Sequence, residues 1–315
     1  MHHRLLGITL AAACLLTACD SEAARPAARP TPSVVAPPSQ PAVTLGPRPI
    51  EPTRVREAAR PAELAQRVTL AEAVVRDPAS ETAAVSAAAF ELQQLYRQLG
   101  RLPRWDDRVL TVVPRRLRLT VRANIAARRE FRALHTTLSD TLPSWRIISP
   151  PPARRLLAYY RAAQQRFGVP WEVLAAVNLV ETGMGRIRGT SVAGAQGPMQ
   201  FMPATWDAFG RGDINDPRDA IMAAARYLAH NGGGRGQIDN ALFRYNNSSH
   251  YVRGVKHYAS VMRQDPAAFR GFYYWQIVYL SARGDVWLPV GYAQRDSIPV
   301  KRYLRANPDH QLTTP

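Results

Sequence analysis

The 315-residue sequence contains only two cysteines, Cys14 and Cys19, and both lie close to its start. The rest of the chain can therefore form no disulfide, thiolate metal site or cysteine nucleophile. Lysine is equally rare: Lys256 and Lys301 are the two lysines among 41 basic residues, and the formal net charge is +17. An arginine-rich positive surface favours contact with anionic polymers. No nucleic-acid-binding motif accompanies it, so nucleic acid is not the predicted partner.

The sequence also lacks long hydrophobic runs. An apolar segment extends from Leu5 to about Leu16, which is too short to cross a bilayer and has the basic-then-apolar layout of a secretory signal. Its end, Leu16-Thr-Ala-Cys19, resembles the bacterial lipobox, in which the chain is cut before the cysteine and that cysteine is lipidated. We therefore predict a lipoprotein signal peptide over residues 1–18 and an extracytoplasmic location with a membrane anchor at Cys19. The alternative is a secreted protein whose Cys19 is removed with its signal.

Large apolar side chains are scarce in residues 19–60, which are rich in proline, alanine and arginine. Such a composition cannot bury enough apolar surface to offset the conformational entropy lost on folding. We predict a disordered tether. Its proline-rich part, from Ala24 to about Pro52, would reach on the order of 90 Å in polyproline form.

The pattern becomes helical between residues 61 and 150. Apolar spacing and helix-end signals predict helices over 61–76, from Ser80 to Gly100, and over 114–138. The side chains at the start of the second helix are expected to cap it. We assign 61–150 to a helical N-terminal region whose role the sequence does not identify.

A proline run over residues 150–152 marks a boundary. We predict a second helical domain over residues 151–270 and an extension packed on it over residues 271–315. In the extension, the aromatic-rich segment 272–280 and the following segment 286–290 favour a small β-hairpin, and a helix remains an alternative for the first of them. The helices predicted in the domain cover 153–167, 170–182, a segment starting at 203, 217–230, 237–244 and 249–262. The predicted fold class is mainly α.

Glutamate is scarce in the second half of the chain, where it occurs only at Glu172 and Glu181. Glu172 lies in the first turn of the predicted helix 170–182, where free backbone amides favour a structural carboxylate. Glu181 lies at the C-terminal end of the same helix, on one face with the apolar Leu174 and Val177. The helix dipole disfavours a negative charge there, so we expect a raised pKa, as a general acid requires.

Two further segments accompany Glu181-Thr-Gly-Met-Gly185: the run Gly194-Ala-Gln-Gly-Pro-Met-Gln-Phe-Met-Pro203 and the pair Tyr245-Asn246. Together they resemble the lytic transglycosylases of the lysozyme-like superfamily, over roughly residues 165–260. The resemblance implies a lysozyme-like helical catalytic domain over residues 151–270 that acts on peptidoglycan glycan strands. Glycines in this pattern would let the backbone approach a bulky glycan closely.

The resemblance also implies roles for individual residues. Glu181 would act as the catalytic acid and then as the base. Tyr245 could in addition donate a hydrogen bond to Glu181 and orient it. Phe201 and Trp206 are predicted to pack in the core. The residues implied to bind the substrate are Ser191, Gln200, Met202, Tyr245 and Asn246.

A lone glutamate bears on the reaction type, because most hydrolytic glycosidases need a second carboxylate. The resemblance implies that the substrate's acetamido group assists bond cleavage and that its own C6 hydroxyl then attacks C1, which leaves a 1,6-anhydromuramyl end. Two alternatives stay open: a hydrolytic muramidase of the goose-lysozyme type, and a non-catalytic peptidoglycan-binding lipoprotein. Residues 61–150 could extend the groove or bind cell-wall enzymes. The nearby acids predicted to serve as helix caps are Asp207, Asp213, Asp216 and Asp219.

Other chemistries find little support in the sequence. The segment from Gly189 to Ala193 lacks the second glycine of a serine-hydrolase elbow around Ser191. His250 and His257 are seven residues apart, which exceeds the spacing of two metal ligands on one helix. The glycine-rich segment 231–236 lacks the lysine-serine ending of a phosphate loop and predicts a helix stop. We therefore predict no metal and no cofactor.

Overall fold

Helices dominate the computed structural model, which describes residues 55–313. Within this range it contains twelve α-helices and three two-stranded antiparallel sheets, so the prediction of a mainly α fold is confirmed. The predicted signal peptide over 1–18, the anchor at Cys19 and the tether up to residue 54 lie outside the described residues. No helix in the described range is long and apolar enough to cross a membrane.

Four helices form the N-terminal region: α1 (Pro61–Arg76), α2 (Thr82–Arg101), α3 (Asp106–Val112) and α4 (Arg118–Ala133). The first begins and ends where the apolar spacing predicts. The second begins two residues later than predicted, and no side chain caps it. Its expected cap, Ser80, instead donates its hydroxyl to the Asp77 carboxylate at 3.3 Å, so the capping prediction is wrong.

The helix predicted over 114–138 differs most from the structure. Residues Arg115–Leu117 form a 3₁₀ turn, and α4 then ends at Ala133. Helix α3 was not predicted, since its seven residues bury only Val109 and Leu110 and give no sustained helical period. Short helices of this kind depend on packing rather than on local sequence signals.

The domain after the proline run opens with α5 (Ala153–Phe167) and α6 (Trp171–Thr182). A left-handed glycine ends each of them: Gly168 has φ 73° and Gly183 has φ 60°. Glycine takes this conformation without the steric penalty that a Cβ carries, which explains the sharp helix ends. Pro170 is the residue before α6 rather than its first residue, a difference of one position from the prediction.

Six helices follow, and side-chain caps fix the start of two of them. Asp216 Oδ1 accepts a hydrogen bond from the Asp219 amide at 3.0 Å, and Ser248 Oγ accepts one from the Tyr251 amide at 3.4 Å. Both are N-cap contacts that satisfy otherwise free helix amides. The helices are α7 (Pro203–Phe209), α8 (Pro217–His230), α9 (Ile238–Tyr245), α10 (Ser249–Gln264), α11 (Ala268–Tyr274) and α12 (Val300–Ala306).

The strands are short and connect distant parts of the chain. The predicted hairpin is present as β4 and β5, while the first part of the segment 272–280 belongs to α11. The other two pairs, β1 with β6 and β2 with β3, were not predicted, because two-residue strands carry no alternating pattern. The strands are β1 (Thr141–Leu142), β2 (Arg146–Ile147), β3 (Ile187–Arg188), β4 (Ile277–Ser281), β5 (Gly284–Leu288) and β6 (Ile298–Pro299).

One hydrophobic core joins the N-terminal helices to the helices of the second domain. Helix α4 lies along α10, and Gly254 on α10 lets the ring of Phe131 approach so closely that a Cβ there would meet it at 2.5 Å. Of the six described residues before α1, Ala58 joins this core: it is buried, and its backbone exchanges two hydrogen bonds with the Gln98 side chain. A second, smaller cluster packs beneath the strands and includes Leu142, Ile147, Val286, Leu288 and Val300.

Candidate active site

Glu181 lies in the last turn of α6, two residues before the left-handed Gly183. Its side chain is partly buried, and its Oε1 atom accepts a hydrogen bond from the Tyr251 hydroxyl at 2.6 Å. Burial raises the pKa of the Glu181 carboxyl to about 7, and the Tyr251 hydrogen bond offsets only part of this effect. The group is therefore poised between its acid and base forms near neutral pH, as the sequence predicts for a general acid.

Tyr251, on the first turns of α10, is a fixed donor in this pair. Burial raises its pKa well above the usual value, and the neighbouring Glu181 adds to the rise. The hydroxyl therefore stays protonated while the carboxyl titrates. Within residues 55–313, no hydrogen bond reaches the second oxygen of Glu181, which leaves that oxygen free to carry a proton to a substrate.

Tyr245 forms no hydrogen bond with Glu181 in the described structure, so the prediction that it donates to the glutamate is wrong, although the nearby charge of Glu181 helps to raise the Tyr245 pKa. Its hydroxyl donates instead to the backbone oxygen of Met199 at 2.6 Å. Its ring is parallel to that of Tyr251, with centroids 6.5 Å apart and planes 6° apart. Tyr245 thus positions both the glycine-rich loop and the tyrosine that holds Glu181. The sequence contains Tyr251, six residues further on, but nothing in it shows which face of α10 meets α6.

The loop after α6 is fastened to the helix through a single carbonyl. Thr182 Oγ1 donates to the Pro198 oxygen at 2.5 Å, and Asn178 Nδ2 donates to the same oxygen at 2.8 Å. Thr182 Oγ1 also accepts from the Gly185 amide at 3.0 Å. Asn178 is held in turn by the Tyr160 hydroxyl at 2.7 Å. The end of α6 that carries Glu181 and the loop that faces it are therefore joined by several hydrogen bonds.

We expect Thr182→Val to loosen this connection, because valine keeps the shape of threonine and loses its hydroxyl. The Gly185 amide would lose its partner in a buried place, which costs about 1–3 kcal/mol. Thermal unfolding should show the loss, and turnover should fall with it. Thr182→Ser keeps the hydroxyl and serves as the control. Equal unfolding temperatures for the valine and serine variants would contradict a role for the hydroxyl.

Ser191 and Gln200 lie on the glycine-rich loop, as predicted, and both help to shape it. Ser191 Oγ accepts from the Ala195 amide at 3.0 Å, and Gln200 Nε2 donates to the Gly197 oxygen at 3.0 Å. Gln200 itself adopts a left-handed backbone with φ 50°, which is uncommon for a residue with a side chain. Such conformations persist only where surrounding contacts hold them, and they are frequent at functional sites. Both side chains are partly accessible to solvent.

Two other predicted substrate-binding residues are exposed. Asn246 follows the last residue of α9, and Met202 precedes α7 with 44% of its surface accessible. An exposed methionine beside a polar loop suits a contact with a ligand better than a core position. Phe201 is buried in the core as predicted, and the partly buried Trp206 packs edge-on against it at the margin of the core, with ring centroids 5.5 Å apart.

Acidic side chains near the loop serve local structure. Of the four acids predicted to cap helices, Asp216 does so, and the prediction is wrong for the others. Asp207 lies inside α7. Asp219 Oδ2 accepts from the Asp213 amide at 3.1 Å, and Asp213 Oδ1 accepts from the Asn215 amide at 2.8 Å. In the part of the chain that the structure describes, no other carboxylate contributes to the pKa shift of Glu181. Glu172, in the first turn of α6, is far along the helix from Glu181. The site therefore contains one carboxyl group with a perturbed pKa.

Ser191 and His250, which the sequence analysis considers for other chemistries, have structural partners. Ser191 contacts backbone and no histidine. His250 Nδ1 lies 2.7 Å from a Glu130 carboxylate oxygen on α4, which gives this histidine a structural partner. Between residues 55 and 313 no group of three or more histidine, cysteine, aspartate or glutamate side chains could hold a metal ion. Helix α8 ends at His230, before the glycine-rich segment, where the sequence predicts a stop.

Comparison with known proteins finds similarities over the segment that carries this site. Residues 158–265 match the family model described as the Transglycosylase SLT domain. The chain is also similar to the "Membrane-bound lytic murein transglycosylase F" of Thiobacillus denitrificans (strain ATCC 25259 / T1), at 35% identity over 74 residues. That similarity covers 24% of this chain and 16% of the relative, so the chain spans a small part of the relative's length. No solved structure matches the chain. The predicted resemblance to lytic transglycosylases is confirmed.

Proposed function

We propose that this protein is a peptidoglycan lytic transglycosylase that cleaves the β-1,4 bond between N-acetylmuramic acid and N-acetylglucosamine and forms 1,6-anhydromuramyl ends. The observation that carries the proposal is Glu181, a single carboxyl with a pKa of about 7 held by Tyr251 within the matched domain. The name of the similar Thiobacillus protein agrees with this activity.

In the first step Glu181 acts as an acid. Its free oxygen donates a proton to the glycosidic oxygen, and the bond to C1 breaks as the substrate's acetamido group stabilises the positive charge that develops there. The leaving sugar departs with a free hydroxyl, and Glu181 becomes a carboxylate. The Tyr251 hydrogen bond to Oε1 stabilises that carboxylate during its lifetime.

In the second step Glu181 acts as a base. It takes the proton from the substrate's C6 hydroxyl as that oxygen attacks C1, and this restores the protonated carboxyl. One proton leaves Glu181 and one returns, and no water is consumed. The chemistry therefore needs no second carboxylate, in keeping with the single perturbed carboxyl of the site.

Mass spectrometry of purified peptidoglycan incubated with the protein tests this proposal. Anhydromuramyl ends, which are lighter than reducing ends by one water, would support transglycosylation. Reducing ends would mean a muramidase, which is the second candidate. Wall binding without cleavage by the native protein would support the non-catalytic peptidoglycan-binding alternative and would contradict the proposal.

We expect Tyr251→Phe to shift the pH dependence of turnover. The lost hydrogen bond stabilises the carboxylate, so its removal raises the Glu181 pKa further. Because the first step needs protonated Glu181, the decline of activity at high pH should move upward by roughly one pH unit. Tyr292→Phe removes a hydroxyl that donates to the Pro143 oxygen and has no part in the pKa shift of Glu181, so this control should leave the pH profile in place. An unshifted profile in Tyr251→Phe would contradict the assigned contact.

We also propose that Cys19 anchors the protein to a membrane on its extracytoplasmic side, where peptidoglycan is within reach. The support is the lipobox-like segment of the sequence and the membrane-bound description of the similar protein. Residues 61–150 would extend the substrate groove or bind cell-wall enzymes. In cell fractionation we expect Cys19→Ser to move the protein from the membrane to the soluble fraction, and an unchanged membrane fraction would argue against the anchor.

A further inference from the structure

Two arginines face each other across the small sheet of β2 and β3, next to the active-site loop. Arg146 on β2 and Arg188 on β3 are register partners in the antiparallel pair. Side chains directly opposite each other on one face have Cβ atoms about 5 Å apart, and like charges in this arrangement are destabilising. Burial lowers the pKa of the Arg188 guanidinium, and the charge of Arg146 lowers it further. The fold therefore holds two cations together at a cost.

The described part of the chain supplies no counter-ion within salt-bridge distance for either cation. The acids that attract Arg188, Asp213 and Asp216, direct their carboxylates to backbone amides in the next loop. Arg188 Nη1 donates to the backbone oxygen of Asn215 at 3.0 Å, which fixes the side chain and leaves its other donors free. Arg146 is exposed and makes no hydrogen bond through its side chain within residues 55–313. Neither guanidinium therefore has an anionic side-chain partner in the described structure.

The pair also lies next to the candidate substrate site. Arg188 follows Glu181 by seven residues and precedes Ser191 by three, so its Cα lies within about 10 Å of the Ser191 Cα. The intervening Gly189 packs so closely on the ring of Trp145 that a Cβ there would meet it at 2.9 Å. The loop with Ser191 is therefore tied to the sheet that presents both guanidinium groups.

We propose that Arg146 and Arg188 form a carboxylate-binding subsite that recognises the stem peptides of peptidoglycan beside the glycan bond to be cleaved. The inference rests on the proposed function, since the glycan must occupy the groove at Glu181 for its peptide to reach the sheet. Two guanidinium groups present planar pairs of donors that match the two oxygens of a carboxylate. A bound carboxylate also removes the repulsion within the pair, so ligand binding and relief of strain act together.

A double-mutant-style cycle that neutralises the charges on protein and ligand tests the subsite. The full chain carrying Glu181→Gln, which binds without cleaving, is titrated calorimetrically with soluble glycan fragments whose peptide carboxylates are either free or amidated. We expect the free form to bind about tenfold more tightly than the amidated form, as for a hydrogen-bonded charged group. Adding Arg146→Gln and Arg188→Gln should reduce this ratio to about one. High salt should weaken binding of the free form selectively.

The controls separate this subsite from general charge and from folding. Arg104→Gln with Arg108→Gln removes two exposed arginines of the N-terminal region that form no ion pair in the described structure, and it should keep the tenfold ratio. Arg146→Gln alone should keep or raise the unfolding temperature and lower the affinity ratio. If Arg146 were purely structural, the same substitution would lower the unfolding temperature and leave the affinity ratio unchanged. A ratio of one before any arginine is changed, or an unchanged ratio in the double arginine variant, overturns the proposal. Cleavage of peptidoglycan by the native protein is measured separately, so that failure of the proposed activity can be distinguished from failure of the proposed subsite.

Discussion

Glu181→Gln is expected to reduce the formation of anhydromuramyl ends by about a thousandfold, which is within the range that general acid–base catalysis contributes. Glutamine keeps the size and the ability to accept the Tyr251 hydrogen bond, but it can neither donate a proton to the glycosidic oxygen nor take one from the C6 hydroxyl. Both steps fail together for this reason. The rate at which anhydromuramyl ends form, followed by mass spectrometry on purified peptidoglycan, measures the loss.

The matched control lies on the same helix. Glu172→Gln makes the same chemical change in the first turn of α6, more than two turns away from Glu181. It removes a favourable contact of a buried carboxylate with the helix dipole worth at most about 2 kcal/mol and should leave turnover close to that of the native protein. If Glu172→Gln and Glu181→Gln reduced product formation equally, the assignment of Glu181 as the acid and base would be lost.

Glu181→Gln should also stabilise the folded protein at alkaline pH. Burial raises the folded-state pKa of Glu181 to about 7 from a usual value of 4.5, so the folded state binds a proton that the unfolded state has already lost. The resulting penalty is absent below the unfolded pKa, grows as the pH rises through this window, and is complete above pH 7. Glu181→Gln removes it, with a gain on the order of 2 kcal/mol at pH 8. Unfolding temperatures that coincide at pH 4 and diverge at pH 8 would show the effect.

The sequence predicts those parts of the site that lie within one continuous segment. The placement of Glu181 at a helix end followed from Gly183 and from the apolar residues before it, and the structure confirms both the helix end and the direction of the pKa shift. The family resemblance was visible because three short motifs surround this residue. Helix starts with a strong local signal, such as Asp216 before Pro217, were also predictable.

Contacts between distant segments were not predictable in this way. The donor to Glu181 is Tyr251 rather than Tyr245, because the packing angle between α6 and α10 decides which tyrosine reaches the carboxyl. The pairing of Arg146 with Arg188 depends on two strands of two residues each, which leave no pattern in the sequence. In each case a long-range arrangement selects among residues that look equivalent locally.

The second large effect is expected from Asp285→Asn, which should lower the free energy of unfolding by about 3–5 kcal/mol. Asp285 on β5 and Arg97 on α2 are both buried and form a two-pronged ion pair, with Nη2 to Oδ1 at 2.5 Å and Nε to Oδ2 at 2.7 Å. Asparagine leaves the buried guanidinium without a compensating charge. Thermal unfolding should move down by about 10 °C for a protein of this size.

The contribution of the Arg97–Asp285 ion pair to stability should also depend on pH. Burial alone would raise the pKa of Asp285, but the charge and hydrogen bond of Arg97, with smaller contributions from Arg128 and Arg101, lower it on balance. The contribution of the pair is therefore present above the unfolded-state pKa of an aspartate, about 3.9, and disappears as the pH falls through the lower folded-state value. Asp285→Asn should lack this acid-dependent loss.

Replacing both Arg97 and Asp285 separates two effects on stability: the cost of leaving one buried charge unpaired and the net contribution of the intact ion pair. Because a hydrophobic pair of similar volume avoids the desolvation of two charges, Arg97→Met with Asp285→Leu should recover most of the stability that Asp285→Asn loses. The exposed ion pair of Lys256 with Asp239 is the comparison, and Asp239→Asn there should cost less than about 1 kcal/mol. Because the pair joins α2, which lies in the shared core, to β5, which covers the second cluster, all variants should unfold in a single transition. An early, separate transition of the N-terminal helices in Asp285→Asn, with α6 and α10 still folded, would contradict the single core.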